Sequence, residues 1–430
     1  MAPHDLTVKL FLQLATILAA CRVCGWLGRR VGQTQVVSEM VAGVLLGPSL
    51  FGLIAPQAQA WLFPKVAAVG AGASAMHPSM LILYALSQLG LVLYMFMIGM
   101  EFNHRLILGR VRHASIVSGA GILVPMTLGA LAALALRGDA DLFAPQVTPG
   151  AAALYLGAAM SITAFPMLAR ILHEKGIART RMGTLALAAG SSDDAAAWCL
   201  LALVLSYLEG SWLIAGLAIG GGVLYVVVML ALGRPLLRAL ERGVDAEGRL
   251  APGTLAAGLL VLMLGAYATD TVGIYAVFGA FVAGIAMPRG RFTEAAIGHL
   301  DLLTTTFLLP VFFVYSGLNT QITLLDSAAL WRIATILVVL SVAGKGVACL
   351  LAARLSGEAW RESAAIGVLM NARGLMELII LNIGLQRGVI TPTLFTIMVL
   401  MAVVTTLMAS PLFEVVYGRR VALAHREQPV

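Results

Sequence analysis

The chain has 430 residues, 60% of them hydrophobic and 11% charged, with a formal net charge of +7; an average soluble domain is roughly one quarter charged. So much apolar surface excludes a disordered chain and an ordinary soluble enzyme, because a domain of this size could not hide it. The basic residues sit in short gaps between apolar runs, which sets membrane orientation and gives no nucleic-acid patch, and the four cysteines (Cys21, Cys24, Cys199, Cys349) lie in or beside apolar runs and give no disulfide framework.

A membrane-spanning helix needs about 20 mostly apolar residues. By that measure the sequence predicts an all-α polytopic membrane protein of about thirteen spans, at 8–26, 35–54, 80–100, 114–136, 150–172, 182–208, 211–232, 253–269, 272–287, 299–318, 328–353, 361–385 and 391–417. The first span ends near Leu18-Ala19-Ala20-Cys21, which imitates a lipoprotein cleavage site. Asp5 and a single preceding lysine make a poor leader, so the span is read as retained. Cys21 and Cys24 form a C-x-x-C that is read as packing, without a redox or metal role. The second span carries Glu39, read as a helix-start charge near the cytoplasmic surface, where negative charge is favourable. The longest connection, about 55–79, holds Pro56, Gly70, Gly72 and Pro78. Glu101 and Asp270 fall at span ends and are read as solvated. His104, His113 and His173 are read as ordinary cytoplasmic surface histidines.

The fifth span reads Ser161-Ile162-Thr163-Ala164-Phe165-Pro166. Pro166 removes a backbone donor near mid-helix and Thr163 offers a hydroxyl close by. The sixth carries Asp193 and Asp194 at its middle, the eleventh carries Lys345 between two glycines, and the twelfth carries Asn371, Arg373, Gly374 and Glu377. No long tail follows the thirteenth, so a regulatory domain is expected on a separate chain.

With the N-terminus outside, 21 Lys and Arg fall in inner segments and 5 in outer ones, with Lys345 and Arg373 inside helices. That bias supports an odd number of spans and a cytoplasmic C-terminus. An odd number also suits two six-helix halves of opposite sense, spans 1–6 and 8–13, joined by the helix at 211–232.

Charges at membrane depth are expensive and mark ion paths. Adjacent carboxylates on a helix point about 100° apart and can serve different partners. They resist simultaneous ionisation, and burial adds to that resistance, so Asp193 and Asp194 can trade protons for a hard monovalent cation. Arg373 and Glu377, four residues apart, are either an ion pair that fixes packing or part of the path. Interrupted helices in corresponding positions of two halves, here the fifth and twelfth spans, are the pointer to a transport site. No metal-ligand cluster, nucleophile elbow or phosphate loop lies at membrane depth, so neither an enzyme nor a resident cofactor is expected.

Six stretches carry a resemblance: Val37–Gly52, Ser161–Leu172, Ser192–Leu201, Leu309–Leu318, Gly344–Gly357 and Asn371–Leu385. In this order they resemble the monovalent cation:proton antiporters, in the branch that includes bacterial sodium/proton and potassium/proton exchangers and plant and fungal relatives. The resemblance implies a single transporter unit over 1–430. Its panel or dimerisation helices would be at about 8–100 and 253–318. The ion-transporting core would be at about 114–208 and 328–417, with broken helices five and twelve crossing, and 211–232 would be the linker. It implies a homodimer in the bilayer of a bacterial cytoplasmic membrane, working by an elevator-like movement. Asp194 would be the main carrier of proton and cation, Asp193 the partner of Lys345, and Thr163 a neighbour of the site, so that Asp194 and Asp193 are the carboxylates for transported Na⁺ or K⁺. Asp193 before Asp194 is the pattern of electrogenic sodium exchangers, whereas Asn371–Leu385 looks more like potassium exchangers; the lean is to sodium. The alternative is an ion-coupled symporter of an organic solute on the same architecture, which the acid pair disfavours.

Overall fold

Backbone polar groups inside a bilayer have to be satisfied within helices, and the computed structural model is helical over most of its length. It describes residues 3–31, 33, 35–64, 66–68, 74–102, 111–139, 141–177, 180–210, 212–244, 249–273, 275–318 and 321–418. In chain order the helices are α1 (Pro3–Arg30), α2 (Gln35–Leu46), α3 (Phe51–Ile54), α4 (Pro56–Leu62), α5 (Pro78–Glu101), α6 (Val111–Leu136), α7 (Pro149–Ser161), α8 (Phe165–Glu174), α9 (Arg181–Glu209), α10 (Trp212–Val228) and α11 (Arg234–Leu237). They continue with α12 (Pro252–Thr271), α13 (Ala276–Ala286), α14 (Arg291–Leu303), α15 (Leu309–Gly317), α16 (Ala328–Ser341), α17 (Ala348–Leu355), α18 (Trp360–Met370), α19 (Leu375–Gln386) and α20 (Pro392–Phe413). Wide π turns join α10 to α11 (Met229–Gly233), α14 to α15 (Thr304–Leu308) and α16 to α17 (Val342–Val347). Two three-residue strands, Val66–Ala68 and Ser74–Met76, pair antiparallel before α5.

Among the described residues nine helices are long and apolar enough to cross a membrane. The predicted apolar runs fall on helix, with three differences. The fifth and twelfth are each split in two. The ninth, expected at 272–287, shortens to α13, because Gly273 and Tyr275 turn the chain at positive φ, 88° and 39°, before the helix can start.

The chain divides into two compact units. One comprises Met1–Cys24, Glu39–Phe102 and Ser211–Asn319; the other comprises Gly25–Ser38, Asn103–Gly210 and Thr320–Val430. The first has an apolar core in which Ile17, Ala42, Phe63, Leu83, Val314 and Leu318 meet. Its helices touch through glycines. A Cβ on Gly284 of α13 would lie 2.2 Å from the Phe96 carbonyl oxygen of α5, and one on Gly317 of α15 would lie 2.4 Å from the Gly43 carbonyl carbon of α2. Lipid is as apolar as a leucine side chain, so such backbone approach is what associates helices here.

Two charges differ from the sequence reading. Glu39 is 1% exposed. Helix α2 starts four residues earlier, so Glu39 falls past the first turn and inside the packed helix. Lys9, counted with the outer-surface charges, is buried, with its ammonium over the Trp61 ring. Glu101 and Asp270 are exposed as expected, and Cys21 and Cys24 form no disulfide. His113 is half-buried. Gly70, Gly72 and His104 lie outside the described residues, as does the side chain of His173.

Candidate functional site

All the charges singled out at membrane depth lie in the second unit. Its geometry begins with two breaks. Helix α7 stops at Ser161, Ile162–Ala164 are not helical, and α8 starts at Phe165. Pro166 was expected to free a backbone group at mid-helix. Instead it is the second residue of α8, where a proline N–H is not needed, and the break precedes it. The other break, Asn371–Gly374, separates α18 from α19. The two breaks meet: the Ala164 N–H donates to the Ala372 carbonyl at 3.1 Å. Gly374 permits this approach, since a Cβ there would lie 2.9 Å from the Ala164 Cβ and 3.0 Å from the Met167 Cγ.

Helix α9 is capped by the Thr180 hydroxyl, which accepts from the Gly183 N–H, and it carries Asp193 and Asp194 at its middle, 1% and 7% exposed. They face different partners. The Asp193 Oδ2 accepts from the Thr163 hydroxyl at 2.5 Å and from the Lys345 ammonium at 3.1 Å. Lys345 sits in the π turn between α16 and α17, a feature often found at functional sites. It also donates to the Gly121 carbonyl at 2.9 Å and to the Ser161 carbonyl at the end of α7. Its three donors are thus all engaged. Gly346 lets α18 close on this turn, for a Cβ there would lie 2.4 Å from the Asn371 Nδ2.

Asp194 points elsewhere, and its carboxylate accepts from the Phe165 backbone N–H at the start of α8. A helix N-terminus favours a negative charge. The Asp194 Oδ1 accepts no hydrogen bond from the described residues.

Arg373 lies within the second break and is fully buried. Its guanidinium donates to the carbonyls of Ala159 at 3.2 Å, Met160 at 2.6 Å and Ile162 at 2.7 Å, and to the Ser341 hydroxyl at 2.7 Å. It therefore collects the carbonyls that the end of α7 leaves open. Its backbone N–H donates to the Thr406 hydroxyl of α20 at 2.9 Å. Arg373 and Glu377 form an ion pair, with the closest charged atoms 3.8 Å apart, but not along one continuous helical face as expected: Arg373 lies in the break and Glu377 in the first turn of α19. Asn371 donates to the Gly367 carbonyl at 3.1 Å.

The structure thus joins Thr163, Asp193 and Lys345 directly, puts Asp194 at the α8 N-terminus, and gives Arg373 to the first break. Ser341, Thr406 and the open carbonyls were not legible as site groups. Ser341 precedes Lys345 by four residues, which is the one signal the sequence held. Among the described residues no cluster of three or more His, Cys, Asp or Glu could hold a resident metal ion. A buried carboxylate with an open oxygen, beside a neighbour already neutralised by lysine, can hold either a proton or a single-charged cation.

A family model described as "Sodium/hydrogen exchanger, transmembrane" matches residues 17–416. The chain is 38% identical over 408 residues to the Na(+)/H(+) antiporter NhaS4 of Synechocystis sp., covering 94% of this chain and 96% of that one. It is 26% identical to the Na(+)/H(+)-K(+) antiporter GerN of Bacillus cereus, covering 96% and 97%. It spans 48% of the length of Cation/H(+) antiporter 17 of Arabidopsis thaliana, at 33% identity over 95% of this chain. In fold it is similar to the sodium proton antiporter MjNhaP1 from Methanocaldococcus jannaschii, with a TM-score of 0.67 at 14% identity and full coverage of both chains.

Proposed function

The chain belongs to the sodium/hydrogen exchanger family, and from that premise we propose that it is a secondary transporter exchanging a monovalent cation for protons, with the ions as cargo and no cofactor. The observation that carries this reading is the division of labour on α9. Each carboxylate keeps one open oxygen, but Asp193 is neutralised by Lys345 and held by Thr163, while Asp194 has no ion pair among the described residues and accepts from the Phe165 N–H at the α8 N-terminus. Asp194 takes a proton or a cation in turn, and that competition at one carboxylate couples two opposed fluxes. Sodium is the preferred ion, since NhaS4 is named for Na(+)/H(+) exchange; GerN, named for sodium and potassium, keeps K⁺ as the ion to test against it.

In this reading the second unit is the ion-carrying core and moves in an elevator-like step. The first unit is the panel through which two copies form a homodimer. The helix at 211–232 is the linker, though it falls in the first unit by its packing. The protein lies in a bacterial cytoplasmic membrane with its N-terminus outside. Exchange is electrogenic, with Lys345 giving up a proton when the cation draws Asp193 away from it. A symporter of an organic solute is not favoured, because two carboxylates repel an organic anion.

Proteoliposomes loaded with a pH dye test this. Sodium, more than potassium, is expected to drive proton flux, and Asp194→Asn to abolish it; flux unchanged in that variant would sink the assignment. Clamping the membrane potential is expected to change the rate, and a rate blind to the clamp would make exchange electroneutral.

A further inference from the structure

The charges at the two breaks do not balance. Two cations, Lys345 and Arg373, face three acids, Asp193, Asp194 and Glu377, and all five are buried. A buried group of charges is stable only when its members are compensated. The group therefore holds one further positive charge, either a proton or a bound cation.

The hydrogen bonds indicate which acid is left over. Asp193 accepts from Thr163 and Lys345, and Asp194 accepts from the Phe165 N–H. Glu377 is fully buried, and neither of its carboxyl oxygens accepts a hydrogen bond from the described residues. Arg373 serves it as an ion pair at 3.8 Å without a hydrogen bond, because the guanidinium donors are engaged by three carbonyls and the Ser341 hydroxyl. The other groups that face Glu377 are Lys345 and the Tyr155 phenol. Lys345 has its three donors placed elsewhere, and the Tyr155 hydroxyl donates to the Ile380 carbonyl at 2.9 Å. An ionised carboxylate without one hydrogen bond is the costliest occupant of this position, and a protonated one the least costly.

We infer that Glu377 is a second proton-binding carboxyl of the core, on the α19 side of the second break and separate from the carboxylates of α9. With no cation aboard, the proton on Glu377 balances the five charges. When a cation settles at Asp194 the balance is met without that proton, and Glu377 releases it. Part of the proton release thus comes from a residue other than the one that receives the cation. This rests on the reading of Asp194 as the cation carboxylate, and it adds Glu377 to Asp194 as a second source of counter-transported protons.

The test measures protons released when sodium chloride is added to the purified, detergent-solubilised protein, with sodium binding followed in parallel by calorimetry in two buffers of different ionisation enthalpy. Glu377→Gln has the shape of the protonated acid, so it is expected to fold as the wild type does. It is expected to bind sodium with proton release reduced at least twofold, and Glu377→Asp to restore the release. Proton release unchanged in a folded Glu377→Gln protein would overturn the inference. So would a Glu377→Gln protein that fails to fold while Glu377→Asp folds, because the neutral amide should satisfy a site built for a neutral acid. Asp194→Asn separates the two readings: it is expected to lose sodium binding, and retained binding there would overturn the cation assignment alone.

Discussion

The two compact units solve the same problem by opposite means. In the first, helices are drawn together by the absence of side chains. Gly43 and Gly317, and Gly99 and Gly284, bring backbone against backbone. In the second, two helices are cut open, and long polar side chains close the gaps. Arg373 takes up the carbonyls of Ala159, Met160 and Ile162, and Lys345 takes up those of Gly121 and Ser161. Among the described residues the unit held by glycine contacts buries two charged side chains, Lys9 and Glu39. A unit held by cations keeps buried charges whose balance an ion can alter. Polar staples thus close the two broken helices of the second unit, and close backbone packing at glycines joins the helices of the first.

The sharpest way to break the comparison is Arg373→Lys. A lysine keeps the charge but lacks the planar fork of donors. It would leave at least one of the four buried acceptors around Arg373 unmet, at about 1–3 kcal/mol. The expected result is the largest loss of thermal stability of any conservative change in the chain, read by fluorescence-detected size-exclusion after heating. A variant as stable as the wild type would show that the first break does not depend on its staple.

Gly284→Ala probes the other unit. The added methyl would meet the Phe96 carbonyl oxygen at 2.2 Å, so α5 and α13 would have to separate. Overpacking of this kind costs about 1–3 kcal/mol. Thermal unfolding in detergent is expected to show that loss while any further rise of the melting temperature on adding sodium stays as in the wild type, because the proposed ion site lies in the other unit. If the sodium-dependent rise disappears as well, the two units do not keep their tasks apart.

The sequence made the apolar runs legible, and with them the all-α class, because hydropathy depends on composition over about 20 residues and little on partners. The acid pair, Lys345 and the fact of two interruptions were legible for a related reason: a charge or a proline in an apolar run stands out locally. What lay beyond it was the position of each break and the groups that close it. Pro166 marked the fifth span correctly, but the chain opens before it, where Ile162–Ala164 meet Ala372. Arg373 reaches Met160 across a separation of 213 residues, and no local pattern carries that. The burial of Glu39 was missed because a charge near a helix start looks the same in sequence whether or not a neighbour covers it.

The smallest effect expected is at the N-terminal end of α5, in the first unit. The backbone N–H of Ser79 donates to the His77 Nδ1 at 3.2 Å, which caps α5. The Ser79 hydroxyl lies 2.9 Å from the same nitrogen and accepts from the Gln13 amide at 3.2 Å. A proton on Nδ1 would oppose the N–H that points at it. Burial, and after it the Lys9 ammonium, hold the imidazole below the ordinary histidine value. A group depressed in this way gives its full stability above its unfolded value, about 6.5, and loses it as pH falls through the lower folded value. Melting temperature is therefore expected to fall on acidification through that window. Asn is an effective cap and does not titrate there, so His77→Asn is expected to keep stability near neutral pH and to flatten the slope. His77→Ala is expected to lose about 1 kcal/mol near neutral pH, a loss that shrinks on acidification as the wild-type cap is itself lost. An unchanged slope in His77→Asn would mean that this histidine does not carry the acid sensitivity of the glycine-packed unit.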